Sequence, residues 1–155
     1  MPPKLKYFSV NWEDGMKINK GHFLQQENAL YDMLKDVNAI SLNKNNFGLL
    51  PTGIHNESSL KRIVKLDNQE FLKVKLLQCR AITQGGARIE ILEEYHLPEL
   101  VVNISRELEM AQKGESGDYY ILLSVDMFKR QPFGELNAEE EPPRYPYSIP
   151  TYKIN

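Results

Sequence analysis

The sequence predicts a mainly β domain, an antiparallel β-sandwich that carries one long helix near its amino terminus. Two observations support this fold class. Apolar residues recur with the helical period of 3.6 residues over about residues 20–42. After Asn46 the pattern changes to short apolar runs that are closed by turn residues. A single helix followed by about six to nine strands is typical of a sandwich with a helix packed on it.

The helix is predicted to begin after Asn19, a residue type that caps helix amino termini. We expect one apolar face to be buried against the sheet. Its principal residues are Phe23, Leu30, Leu34 and Val37. The opposite face is polar and is expected to face water. It carries Gln25, Glu27, Asp32, Lys35 and Asp36. The segment before the helix, Leu5–Val10, contains residue types that favour a strand.

The remaining strands are predicted from alternating apolar residues and from turn signals such as Gly85-Gly86. They are Phe47–Thr52 (closed by Pro51 and Gly53), Leu60–Leu66, Phe71–Thr83, Ala87–Ile91, Leu100–Ile104 and Tyr119–Phe128. A short helix is expected over Arg106–Gln112. The apolar phase slips by one residue after Leu76, which predicts a β-bulge. Tyr119–Phe128 is apolar on both faces in its first half, which predicts a central, covered strand.

The carboxy-terminal end has a different composition. Residues 142–155 contain four prolines and three tyrosines, so we predict an extended segment. The tyrosines Tyr145, Tyr147 and Tyr152 suggest that this segment lies on a surface. The predicted organisation is therefore a sandwich domain over residues 1–141 and an extended exit segment over residues 142–155.

Length and charge narrow the class of protein. The chain has 155 residues and a mass of 18.0 kDa, the size of one ordinary domain. Nineteen basic and 21 acidic residues give a net charge of −2, whereas general nucleic-acid binders carry a basic excess. No apolar run approaches the roughly 20 residues of a spanning helix, so no membrane insertion is expected. The single Cys79 suits intracellular redox conditions, and we expect a cytoplasmic protein.

Candidate catalytic groups are sparse. The histidines His22, His55 and His96 have no partner at the spacing of metal ligands. Glu13, Asp14 and His22 can approach one another at the helix start, where they would hold a metal, act as acid and base, or simply anchor the turn. The anchored turn is the favoured interpretation. We therefore expect no catalytic residue, no metal site and no cofactor.

One segment is more informative than these residues. Residues 10–27 read VNWEDGMKINKGHFLQQE. They resemble the amino-terminal signature of the TssK family of type VI secretion baseplate proteins, Trp-x-Glu-Gly-Met-x-Leu, three residues, then His-Phe-x-Gln-Gln-Asp. The identities in fixed register are Trp12, Gly15, Met16, His22, Phe23, Gln25 and Gln26. Asp14, Ile18 and Glu27 are similar to the family residues, whereas Lys20-Gly21 replaces a common Pro-Gln, which indicates a divergent branch.

The resemblance implies a fold and a set of partners. The first domain of TssK is a β-sandwich shoulder similar to the shell domain of phage receptor-binding proteins. In that family the protein is a trimer, the shoulder faces the baseplate wedge of TssF and TssG, and a neck domain follows. Residues 143–152 resemble the exit segment of the shoulder, so we expect the chain to be the shoulder without its neck.

Two classes of function remain open. The first is a structural assembly module of a secretion baseplate; the second is a ligand-binding or enzymatic β-sandwich of unknown substrate. In the first, Trp12 and Met16 flank a glycine turn and dock the arm, while Gln25 and Gln26 satisfy backbone groups of an adjacent strand edge. Packing within the domain is an equally open role for them. The predicted assembly residues are Trp12, Asp14, Gly15, Met16, His22, Phe23, Gln25, Gln26, Tyr145, Tyr147 and Tyr152.

Overall fold

The computed structural model describes residues 4–52, 58–114 and 117–155. Over these ranges the chain is mixed α/β, with seven strands in mostly antiparallel sheets. The helices are α1 (Lys20–Ser41) and α2 (Ser105–Gln112), with a 3-10 turn at Glu93–Tyr95. The strands are β1 (Gly48–Leu49), β2 (Leu60–Leu66), β3 (Phe71–Ile82), β4 (Arg88–Ile91), β5 (Leu100–Asn103), β6 (Leu123–Phe133) and β7 (Tyr147–Ile154).

The chain forms two compact units. The first comprises Met1–Gly48 and Ala81–Arg88, and the second comprises Leu49–Arg80 and Ile89–Asn155. The first unit therefore contains α1 and the tip of the β3–β4 hairpin. The second contains most of the sheet residues.

Helix α1 begins as predicted. The Asn19 side chain accepts a hydrogen bond from the Gly21 N–H at 2.8 Å, and His22 Nδ1 accepts one from the Asn19 N–H at 3.3 Å. These reciprocal bonds satisfy free donors at the start of the helix. At the other end, the Asn46 side chain donates to the Ser41 carbonyl at 3.0 Å. The predicted helix over residues 20–42 is confirmed to within one residue.

The predicted burial of the α1 face is wrong. Its four principal apolar side chains are all exposed, and Leu34, for example, exposes 56% of its surface. The fully buried residues of α1 are instead Ala29 and Asp32, which belong to a different face. Asp32 was expected to face water. The helix therefore buries a narrow stripe with a small residue and a carboxylate, and it presents its apolar stripe outward.

The predicted strand Leu5–Val10 is also wrong. The segment forms no strand, and the backbone N–H groups of Lys6, Tyr7 and Val10 bond to side chains of α1. We call residues 5–12 the arm. A strand needs a neighbouring strand whose backbone bonds to it. Here polar side chains of α1 bond to the arm backbone instead.

The longer sheet is organised around β3. It pairs with β1, β2, β4 and β5, and the β2 and β5 pairings are antiparallel. Opposite β2, the register passes from Lys61↔Gln78 to Arg62↔Leu76, which leaves Leu77 without a partner. The predicted β-bulge is therefore confirmed. The predicted β2 is confirmed over its full range, and β3, β4, β5 and α2 agree with prediction to within one residue at each end.

Two predicted strands differ from the structure. The first of them, Phe47–Thr52, is reduced to the two residues of β1, and Gly53 and His55 lie outside the described residues. The second, Tyr119–Phe128, was expected to be a central strand. Tyr119 and Tyr120 are exposed, and the strand begins only at Leu123. It pairs with a single neighbour, so its two apolar faces did not indicate a central position.

Strands β6 and β7 form a two-stranded antiparallel sheet. Leu123 pairs with Ile154 and Phe133 with Tyr147, with an irregularity between Asp126 and Arg130. Most of the segment predicted to be extended is therefore strand β7. Because Pro150 lies on a strand with only one neighbour, its missing N–H is tolerated.

Candidate functional site

The signature residues meet in the first unit, around the turn that joins the arm to α1. The Met16 N–H donates to the Glu13 carbonyl at 3.3 Å, which closes a four-residue turn. Gly15 occupies the third position of this turn with a φ of +80°, a conformation that side chains disfavour. The glycine of the signature is thus required by the backbone, and it places Trp12 and Met16 on either side of one turn.

Side chains of α1 hold the arm. Gln26 Oε1 accepts a hydrogen bond from the Val10 N–H at 3.1 Å, and Gln25 Nε2 donates to the Phe8 carbonyl at 3.2 Å. Asp32 accepts from the backbone N–H groups of Lys6 and Tyr7. Lys6 and Tyr7 bond to residue 32 of α1, whereas Phe8 and Val10 bond to residues 25 and 26, nearer its start, so the arm runs antiparallel to α1. Both glutamines bond to backbone groups, but these groups belong to the arm and not to the strand edge that was predicted.

An exposed aromatic cluster lies where the arm meets the helix. The ring centroid of Trp12 is 6.1 Å from that of His22, edge to face, and 6.2 Å from that of Phe23. Trp12 is 46% exposed, Phe23 61% and Phe8 69%. Aromatic pairs at this separation are weakly attractive and favour defined relative orientations. The signature therefore builds a preformed aromatic surface, which we call the arm surface (Trp12, His22 and Phe23).

Glu13, Asp14 and His22, for which an anchored turn was the favoured interpretation, make different contacts at the helix start. His22 Nδ1 is used as the acceptor of the capping bond. Asp14 makes no hydrogen bond or ion pair with any described residue, so the expected contact between it and His22 is wrong. Over the described ranges, no three His, Cys, Asp or Glu side chains form a group that could hold a metal ion.

Asp32 is the strongest electrostatic feature of this unit. Its side chain is only 2% exposed and also forms an ion pair with Lys35, at 2.8 Å from Oδ1 to Nζ. Burial alone would raise the pKa of Asp32. The hydrogen bonds from Lys35 and from the arm backbone outweigh it, and the pKa lies below its ordinary value. No pattern in the sequence indicates this role, since an aspartate on a polar helix face usually meets water.

The carboxy-terminal tyrosines lie in the second unit and differ from one another. Tyr145 and Tyr147 are exposed. Tyr152 is 7% exposed, and its hydroxyl donates to the Glu90 carbonyl at 3.0 Å. Its ring stacks on Tyr95 at 6.5 Å, and burial raises the pKa of both phenols. Tyr152 therefore contributes to the interior of this unit.

Tyr145 borders an open cleft of about 690 Å³ that is also lined by His96 and Phe133. Two carboxylates, Glu94 and Glu135, lie at the same cleft. The lining of the cleft combines these polar groups with apolar surface. The signature residues are in the first unit, so the predicted assembly residues form two separate groups along the chain, one per unit.

The chain was compared with known families, curated proteins and solved structures. No family model, no curated protein and no solved structure matches the chain. Within the part of the chain that the structure describes, neither helix has the length and apolar character needed to cross a bilayer.

Proposed function

We propose that this chain is a structural component of a type VI secretion baseplate, the amino-terminal shoulder domain of a divergent TssK-type protein. Its partners in this proposal are the wedge proteins TssF and TssG, and its role is cytoplasmic and non-enzymatic. The observation that carries the proposal is the arm surface. It is built by signature residues, it is exposed, and it is held in place before any partner binds.

The geometry supports docking because the cluster is preorganised. The arm is fixed by backbone hydrogen bonds to Gln25, Gln26 and Asp32, and the Gly15 turn sets the position of Trp12. A surface that is already ordered loses less conformational entropy on binding. Tryptophan is also enriched among the residues that dominate binding energy in protein interfaces.

The polar signature residues support a role without catalysis. Gln25, Gln26 and the Nδ1 atom of His22 each bond to main-chain groups within the first unit. These are positioning contacts, and they leave the aromatic rings as the groups presented to a partner. Tyr145 and Tyr147 remain candidate contacts of the second unit. We leave Tyr152 out of the docking surface because it is buried.

We also propose the finer fold and assembly that the resemblance implies. Residues of β2, β3, β6 and β7 line one common cavity, which supports a sandwich arrangement of the two sheets within the second unit. In the full-length protein we propose a trimer that depends partly on the neck. The isolated chain is then expected to sediment as a monomer or as a weakly associated species at micromolar concentration.

Co-expression with TssF and TssG tests the proposal. Trp12→Ala should weaken co-purification of the wedge, with a loss of about 2 kcal/mol or more, roughly 30-fold in affinity. The matched control is Tyr120→Ala, an exposed aromatic residue outside the signature. Circular dichroism confirms that both variants are folded. Full co-purification of a folded Trp12→Ala chain would refute the arm surface as the docking site, and failure of the wild-type chain to bind the wedge would refute the proposed function.

A further inference from the structure

A second candidate site lies in the second unit, away from the signature residues in sequence. A cavity of about 420 Å³ is lined by residues of strands β2, β3, β6 and β7. Val74 and Cys79, which we call the cavity floor, are lining residues that are buried. Leu76, Leu123 and Ile154 contribute apolar walls. A volume of this size is within the range of small-molecule sites, whereas well-packed cores leave few voids larger than a water molecule.

Among the described residues that line the cavity, Arg62 is the one charged group. Arg62 alternates with Leu60 and Val64 along β2, so its side chain shares the cavity face of the strand. It is exposed, and no carboxylate of a described residue forms an ion pair with it. The neighbouring Lys61 and Lys65 do not line the cavity. The site therefore combines an apolar interior with one guanidinium group at its lining.

This chemistry selects a particular class of ligand. A guanidinium pairs with a carboxylate through two parallel hydrogen bonds, which favours a planar monoanion. An apolar interior is a poor host for water, which needs two to four polar partners. A nucleic acid or a polyphosphate would need several cations and would gain nothing from the apolar walls. The features fit an apolar chain that ends in a single carboxylate.

We propose that the cavity between the two sheets binds an apolar monocarboxylate of the fatty-acid class, with the chain against Val74, Leu76 and Cys79 and the carboxylate on Arg62. This inference does not depend on the arm surface or on any baseplate partner. It assigns the chain a ligand that the proposed function does not require.

Dodecanoate, below its micellar concentration, is the probe. Cys79 is the only cysteine of the chain, so its labelling by a small uncharged thiol reagent reports on the cavity floor. Saturating dodecanoate should slow labelling about tenfold. Dodecyltrimethylammonium, which has the same chain and the opposite charge, should slow it much less. Chemical-shift changes at the methyl groups of Leu76 and Leu123 give a second, independent readout.

Two variants distinguish the contribution of the Arg62 guanidinium to binding from that of positive charge in general. Arg62→Gln should weaken dodecanoate binding about tenfold or more, because a charge-assisted pair is lost. Lys61→Gln removes a charge from the adjacent position of the same strand and should change binding less than about twofold. The proposal is overturned if dodecanoate neither protects Cys79 nor shifts the two methyl groups. It is equally overturned if folded Arg62→Gln binds as wild type does, or if the cationic amphiphile binds as well.

Discussion

Removing the Asp32 carboxylate should release the arm. In the structure this one buried side chain accepts hydrogen bonds from the Lys6 and Tyr7 backbone N–H groups and from Lys35 Nζ. Asp32→Ala removes all three acceptor contacts at once. The bonds of Phe8 and Val10 to Gln25 and Gln26 are retained, and we expect residues 5–7 to detach first.

The magnitude follows from the number and kind of bonds. A hydrogen bond to a charged group contributes about 1.5–3 kcal/mol. The three contributions are not simply additive, because a detached arm regains water for its two amides. We therefore expect Asp32→Ala to lower the free energy of unfolding by about 2–4 kcal/mol. Urea denaturation measures this value, and hydrogen exchange of the Lys6 and Tyr7 amides reports release of the arm.

The contribution of Asp32 should also depend on pH. The pKa of Asp32 lies below its ordinary value of 3.8, so the folded state favours the ionised form. Stability from this group is therefore present above that value and is lost as pH falls through the folded pKa. The difference between wild type and Asp32→Asn should be constant near neutrality and should shrink below about pH 4.

Asp36→Ala is the matched control. Asp36 lies on the same helix one turn later, and it forms no ion pair or hydrogen bond with any described residue. Its removal should change stability by less than about 0.5 kcal/mol. If Asp32→Ala and Asp36→Ala have equal stability, or if the Lys6 and Tyr7 amides remain protected in Asp32→Ala, the carboxylate does not hold the arm.

Two further perturbations follow from contacts within each unit. Gly86→Ala should cost about 2 kcal/mol or more, because φ is +79° and the new Cβ would lie 2.2 Å from the Lys35 carbonyl oxygen; thermal unfolding should show no comparable loss for Gly85→Ala, where the space is open. Tyr152→Phe should cost about 1 kcal/mol through loss of the Glu90 bond. Since the Tyr152 pKa is raised above 10.0, that variant should also lose less stability than wild type as pH rises past 10.

The strands were predictable because their signals are local. Alternation along β2 and β3, the slip after Leu76 and the Gly85-Gly86 turn each depend on a few adjacent residues, and each agrees with the structure. The phase slip even located the bulge at Leu77. The prediction of a covered strand over Tyr119–Leu122 failed. Apolar residues on both faces indicate burial only when neighbouring strands exist, and strand neighbours are set by long-range pairing.

The candidate site was predictable in composition but not in geometry. The signature contains Trp12, Gly15, His22 and Phe23, and in the structure these four residues lie around one turn. The position of the arm on the helix depends on Asp32. The arm that bonds to this carboxylate lies some 25 residues away in sequence. A long-range contact of this kind produces no periodic pattern of residue types in the sequence. A polar residue on a helix face therefore looked like a solvated one.

The helical periodicity and the structure predict different stability losses for one substitution at Leu34. The apolar stripe of α1 predicted that Leu34 is buried, in which case Leu34→Ala would cost about 2–5 kcal/mol. In the structure 56% of Leu34 is exposed, so the same change should cost less than about 1 kcal/mol. Ala29→Leu, which overfills the buried stripe, should be the more damaging variant. A loss above 2 kcal/mol for Leu34→Ala in urea denaturation of the isolated monomer would show that the apolar stripe is covered in solution.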